Sequence, residues 1–163
     1  MSTRAPKDSE LKPAGPAGRT TPDDLARACS EAMHARDCFI QSLGIDLAAS
    51  RPGHAEMVVR VGENMVNGYG TCHGGLIFTL ADATFSHACN NRNVVAVASS
   101  CHIDYVSPAR LGDVLTATAT ERSLSGRTGI YDVVVKDQNE TTIALFRGKS
   151  HRLREQLIPD NNG

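Results

Sequence analysis

Apolar and polar positions alternate most cleanly in the last third of the chain. From Val114 to Glu121, Leu115, Ala117 and Ala119 alternate with Thr116, Thr118 and Thr120, the period of two that a strand with one buried face requires. Tyr131, Val133 and Val135 alternate with Asp132, Val134 and Lys136 in the same way. Turns fall at Leu124-Ser125-Gly126-Arg127 and Gln138-Asn139, and Thr141 to His151 reads as a further strand. Earlier in the chain, Val94 to Val106 is β-rich and stops at Ser107-Pro108. Ile45 to Val61 is also strand-like, with a turn at Arg51-Pro52-Gly53-His54 and with Met57, Val59 and Val61 on one face. Strands that follow one another on short turns predict antiparallel pairing.

Two segments keep a helical period instead. The first should start near Thr21, with Pro22 in the first turn, Asp23 and Asp24 at the positive helix end, and an arrest before Gly44. Leu25, Ala28, Cys29, Ala32, Met33 and Arg36 give it a packing stripe. The second opens at His73-Gly74-Gly75 and runs to about Asn90, after an irregular loop from Gly62 to Cys72. Its residues Leu76, Ile77, Leu80, Ala81, Thr84 and Ala88 form one apolar stripe, and Phe78, Phe85 and Cys89 form another. A helix apolar nearly all round is a buried one. The pattern therefore predicts an α+β domain, one central helix against a curved antiparallel sheet.

Length and composition narrow the function classes. With 163 residues there is room for one domain with a real core. Met1 to Thr21 is rich in Pro, Gly, Ala and charge, so residues 1–21 are expected to form a disordered tail. The domain then covers 22–153, and 154–163 forms a C-terminal tail. A net charge of -1 gives no basic field for nucleic acid or an anionic membrane. No apolar run approaches the ~20 residues of a membrane helix, and no signal-peptide core is visible. The five cysteines (Cys29, Cys38, Cys72, Cys89, Cys101) are odd in number and scattered, which suits reduced thiols in a cytoplasmic protein.

Asp82 is the anomaly in the central helix, lying between Phe78 and Phe85 on the second apolar stripe. A carboxylate there is costly unless it is paired, hydrogen-bonded or protonated. It is either a structural Asp bonded to a backbone amide or a general base or nucleophile tuned by a dry pocket. Gly74 and Gly75 occupy the first turn, where amides lack partners inside the helix and the dipole is positive. Two positions without side chains let a ligand approach those amides, which is what a developing oxyanion needs; equally, they could cap or turn the chain. His73 reads as a cap or a site residue, and Asn67, before Gly68, as a turn or a site residue.

Asn67-Gly68-Tyr69-Gly70-Thr71-Cys72-His73-Gly74-Gly75, followed by Leu80-Ala81-Asp82, resembles the hot-dog thioesterase superfamily. More narrowly, it is similar to the phenylacetate-degradation thioesterases of the PaaI type. Ala96-Val97-Ala98-Ser99, Ile103-Asp104-Tyr105, Gly112 to Ala117 and Phe146-Arg147-Gly148-Lys149-Ser150-His151-Arg152 carry the same likeness, which spans about Asp23 to Arg152. The resemblance implies a helix wrapped by a five- or six-stranded antiparallel sheet, paired into dimers and assembled as a homotetramer. It implies an acyl-CoA thioesterase that acts on a hydroxyphenylacetyl or related aryl-acetyl group and needs no cofactor, coenzyme A being part of the substrate. Asp82 matches the family's catalytic carboxylate, and Gly74 the amide that polarises the thioester carbonyl, with His73 and Asn67 beside it. Some relatives hold the water with a Ser or Thr on the strand after the helix; Ser99 and Ser100 lie in that region.

Spacing adds an inference of its own. Asp82 stands eight residues after Gly74, a separation of roughly 12 Å along a helix axis. A base or nucleophile must come within ~3–3.5 Å of the carbon whose oxygen the amide holds. Two helices around a two-fold axis, each giving half of each site, solve the problem. Other candidates are weaker. Cys72 beside His73 lacks an orienting third group, and His73, Asp82 and His87 lack a metal-ligand spacing. Arg127, Lys149 and Arg152 are either partners for coenzyme A phosphates or ordinary solvated charges. The rival functions on this fold are an acyl-CoA hydratase or dehydratase, which wants a His paired with the acid, and a non-enzymatic acyl-CoA sensor.

Overall fold

The protein was analysed as a computed structural model that describes residues 20–159. The expected N-terminal tail lies outside the described residues except for Thr20 and Thr21, as do the last four residues of the C-terminal tail. Six strands form one antiparallel sheet: β1 (Asp46–Arg51), β2 (His54–Arg60), β3 (Ala96–Tyr105), β4 (Val114–Ser125), β5 (Thr128–Lys136) and β6 (Thr142–Arg152). Three α-helices accompany them, α1 (Pro22–His34), α2 (Cys38–Ser42) and α3 (Gly74–Asn90). The higher of the two expected strand counts is therefore the correct one.

The alternation read from the sequence sets which face of each strand is buried. Leu115, Ala117 and Ala119 of β4 and Tyr131, Val133 and Val135 of β5 point inward, where they meet Met57 and Val59 of β2. Helix α3 lies across this face and contributes Leu80, Ala81, Phe85 and Ala88 to the same core. Burying each large side chain contributes roughly 1.5–3 kcal/mol, so the helix is held chiefly by this contact and not by its own propensity. Among the described residues no helix is long and apolar enough to cross a membrane.

Strand order is β1-β2-β4-β5-β6-β3. The chain leaves β2, passes through α3, and returns on the far side of the sheet to pair β3 with β6. Strand β3 is thus an edge of ten residues. Its register slips between Ala98 and Ser100, where Ser99 is the extra residue of a bulge. Before the bulge Ala96 and Ala98 lie opposite Arg152 and Ser150; after it, Cys101 and Ile103 lie opposite Gly148 and Phe146. The bulge therefore moves the inward positions from even to odd numbers.

The first helical segment starts as expected but does not run unbroken to Gly44. Thr21 and Asp24 form a reciprocal capping box at the start of α1. After His34 the chain turns, and Asp37 caps a separate α2 by accepting from the amides of Phe39 (3.1 Å) and Ile40 (3.2 Å). A short Asx side chain offers the backbone that alternative to a continued helix. The buried face is also offset from the expected stripe: Ala26, Cys29 and Ser30 are buried, whereas Ala28 and Arg36 are exposed. Ser30 was invisible to an apolar count because its hydroxyl is satisfied by Ser50 Oγ at 2.8 Å. Beyond β6, Asn93 Oδ1 holds the chain by accepting from the amides of Leu157 (3.0 Å) and Ile158 (2.8 Å).

Gly148 on β6 lies directly beneath the Phe85 ring of α3. A Cβ there would stand 2.8 Å from carbons of the Phe85 ring, itself 1% exposed. Gly148→Ala should therefore lower unfolding free energy by about 1–3 kcal/mol, the usual cost of overpacking. Urea denaturation checks this, and an unchanged midpoint would show that the ring moves freely.

Candidate functional site

Helix α3 begins at a turn that leaves one amide open. His73 is the N-cap, and its Nδ1 accepts from the Gly75 amide at 2.9 Å. Its carbonyl accepts from the Leu76 amide at 2.9 Å, and its own amide donates to the Met65 carbonyl at 2.8 Å. Gly75 is thereby engaged by the cap, while the Gly74 amide has no acceptor among the described residues. The Tyr105 hydroxyl donates to the Gly74 carbonyl at 2.9 Å, and a Cβ on Gly74 would meet the Tyr105 ring at 3.3 Å. A cleft of about 340 Å³ opens here, lined by Gly74, Ile77, Thr71, Tyr105 and Pro108 among others. With the helix dipole behind it, a free amide at the wall of a cleft is a ready donor to a carbonyl oxygen.

Asn67 holds the loop that leads to this turn. Its Oδ1 accepts from the Tyr69 amide at 2.9 Å and its Nδ2 donates to Thr71 Oγ1 at 3.0 Å. Within one chain, then, Asn67 acts as a turn residue, and it closes the loop that delivers His73.

Asp82 lies eight residues further along the unbroken helix, half-buried. No backbone amide donates to it among the described residues, so the structural alternative, an Asp bonded to main chain, is not what is found. Its one hydrogen bond among the described residues comes from Cys101 on β3, whose Sγ donates to Oδ1 at 3.7 Å. Burial raises its pKa above the usual carboxylate value, and the Cys101 bond opposes that rise. Phe78 and Phe85, one turn to either side of Asp82 along α3, both meet Phe146 of β6, edge-on at 5.7 Å and tilted at 5.8 Å.

The structure does not gather the other candidates at one point. Lys149 faces outward from β6, on the side opposite Gly148 and α3, and Arg127 is exposed in the β4–β5 turn. Arg152 faces inward, and its Nε and Nη2 are buried without a hydrogen-bond partner among the described residues. Ser99 Oγ donates to the Lys149 carbonyl at 3.0 Å. Cys72 is 5% exposed and burial pushes its thiol up to about 11, the opposite of an activated nucleophile. His87 is buried against His34, ring centroids 6.4 Å apart, and burial pushes it down to about 4. Both rings have an Nδ1 without a partner among the described residues. No group of three or more His, Cys, Asp or Glu is placed to hold a metal ion among those residues. The sequence assigned no role to Cys101, named only among the scattered cysteines, or to Tyr105, named only within the Ile103-Asp104-Tyr105 likeness.

Known proteins give the site a context. The Thioesterase superfamily model matches residues 69–144. Acyl-coenzyme A thioesterase PaaI of Escherichia coli is 45% identical over 124 residues, 76% of this chain and 89% of the relative. The solved structure of E. coli PaaI, from the phenylacetic acid degradation operon, superposes with a TM-score of 0.82 at 42% identity, covering 83% of this chain and 99% of that one. A mutant of the phenylacetic acid degradation protein PaaI from Thermus thermophilus gives 0.69 at 38% identity, over 72% and 100%. A Streptococcus mutans protein bound to acetyl CoA gives 0.66 at 26% identity, over 68% and 90%.

A carboxylate whose folded pKa is raised prefers its proton, so ionisation at neutral pH costs folding stability. That penalty is absent below about pH 3.8, the ordinary value, and grows as pH rises through the folded value. Asp82→Asn should therefore raise the melting temperature at pH 7, with the gain vanishing in acid. Thermal melts at pH 7 and pH 3.5 measure it, and a variant less stable than wild type at pH 7 would contradict the geometry.

Proposed function

The chain belongs to the thioesterase superfamily, and on that premise we propose that it hydrolyses hydroxyphenylacetyl-CoA or a related aryl-acetyl-CoA at sites shared by two subunits. The protein is an acyl-CoA thioesterase. Its PaaI relatives, named for phenylacetic acid degradation, support the aryl-acetyl preference. The observation that carries the mechanism is the pairing of a half-buried, sparsely bonded carboxylate with an open amide on the same rigid helix.

In this reading the thioester carbonyl oxygen sits at the Gly74 amide of one subunit. Asp82 of the other either takes a proton from water as the water attacks the carbonyl carbon, or attacks that carbon itself to give an anhydride that water then cleaves. The C–S bond breaks, the sulfur leaves with a proton as coenzyme A thiol, and the acyl group leaves as the free acid. His73 contributes by fixing the helix start, and Asn67 by closing the loop before it. Of the three cationic candidates for the substrate's phosphates we favour Arg152, which faces inward with Nε and Nη2 unpartnered among the described residues; Arg127 and Lys149 are exposed. The separation of roughly 12 Å along α3 argues for two copies, and the ten-residue edge of β3 offers a surface on which a second copy can extend the sheet. A dimer of that kind, doubled into a tetramer, is the assembly proposed. The hydratase alternative wants a histidine paired with the acid, and within one chain the partner of Asp82 among the described residues is Cys101.

Asp82→Asn should lower kcat by a factor of about 10² or more while keeping the fold. Thiol release from phenylacetyl-CoA follows the loss; near-normal turnover would remove Asp82 from the mechanism. Subunit mixing tests the sharing of sites. Gly74→Pro removes the amide at a helix position that tolerates proline. Mixed with Asp82→Ala after demonstrated exchange, it should restore roughly a quarter of wild-type activity, because half the dimers are mixed and each carries one intact site. No recovery despite exchange would place each site within one chain.

A further inference from the structure

Cys101 reaches Asp82 only because of how β3 is built. The bulge at Ser99 sets its side chain inward, on the same face as Gly148, its neighbour across the pair. The Sγ then lies 3.7 Å from Asp82 Oδ1, the one hydrogen bond that this carboxylate receives among the described residues. The donor belongs to a strand and the acceptor to the helix, so the bond ties the reacting side chain to the sheet.

We infer that Cys101 is a positioning residue, whose thiol aims the Asp82 carboxylate and favours its ionised form. This rests on the reading of Asp82 as the reacting group. Burial first, and then the neighbouring Asp82 charge, push the Cys101 thiol up to about 11. It therefore remains a proton donor throughout the range in which a carboxylate titrates. The other groups near Asp82 do not compete. Cys89, further along α3, is itself pushed up to about 12, chiefly by burial, and stays neutral. The Arg152 charge from β6 acts on Cys89, Lys149 faces outward, and His102 and Asp104 of β3 are exposed and pair with each other at 3.2 Å. A thiol is a weak donor. Two or three strong amide donors would hold the carboxylate far below neutrality and blunt it as a base. One weak donor gives direction and leaves most of the basicity that burial supplies.

The test reads the carboxyl directly. Carbon-13 NMR of the full-length protein gives the Asp82 pKa, and the acid limb of kcat/KM for phenylacetyl-CoA reports it independently. In Cys101→Ala, and in Cys101→Val of closer size, both should move up by about half to one pH unit, as expected from loss of one weak bond to a charge. Cys101→Ser, which restores a donor on a shorter bond, should recover part of that shift. In the Ala variant kcat should fall several-fold with KM little changed. A thiol that merely fills space predicts no shift, and water entering a cavity predicts a downward one; either result overturns the inference. Failure of the underlying reading looks different: Asp82→Asn would then turn over normally, whatever the NMR shift in the Cys101 variants.

Discussion

A carboxylate carried on a helix that is packed into a sheet loses much of its water without gaining a full set of replacement bonds, and the rest of the site is arranged around that deficit. Asp82 is tolerated on α3 because the surrounding elements leave it partly open and give it one donor. Phe85, three residues on, fills the space over Gly148, so the helix lies close to β6. Strand β3, last in the sheet, supplies Cys101 to the carboxylate and Tyr105 to the helix start. Four residues of strand, about 13 Å, span nearly the same distance as eight residues of helix, about 12 Å. One edge strand can thus touch both chemical ends of α3.

The rigidity of that helix has a cost and a use. Gly74 and Asp82 cannot approach one another by bending, because Leu76, Ile77, Leu80 and Ala81 between them are buried. The same burial fixes where each group points, so that little has to be ordered when substrate arrives. In the mechanism proposed above, activity and stability make opposite demands on this one carboxylate, as they commonly do where a fold carries a dehydrated charge.

Much of this was legible in the sequence, for reasons that also mark its limits. The period of two in β4 and β5 and the continuous apolar face of α3 are direct imprints of burial, and an Asp inside that face is conspicuous. His73 and the two glycines announced a helix start. The destination of β3 was not legible, since alternation says which side of a strand is buried and nothing about its partner. Its bulge hides even the alternation, because the inward parity changes at Ser99. Cys101 was passed over because a cysteine in a strand reads as a small core residue. Asp37 broke the first helix by a local bond that apolar spacing cannot register. Arg127, Lys149 and Arg152 were read alike as cations at loop and strand ends, and only the fold shows that the first two are exposed while Arg152 faces inward.

The histidine pair between α1 and α3 has a further consequence. His87, pushed down to about 4 by its dry surroundings, takes up a proton far more readily once the chain around it opens, where its ordinary value is about 6.5. The folded arrangement therefore gives ground steadily as pH falls from 6.5 toward 4, and above that window it loses nothing. His34 sits at the last turn of α1, a helix that meets α3 only along a short seam. In mild acid the region to loosen first is this N-terminal layer, by local opening with the sheet still paired. Endurance in acid would then be decided at the back of α3, far along the helix from the amide at its front.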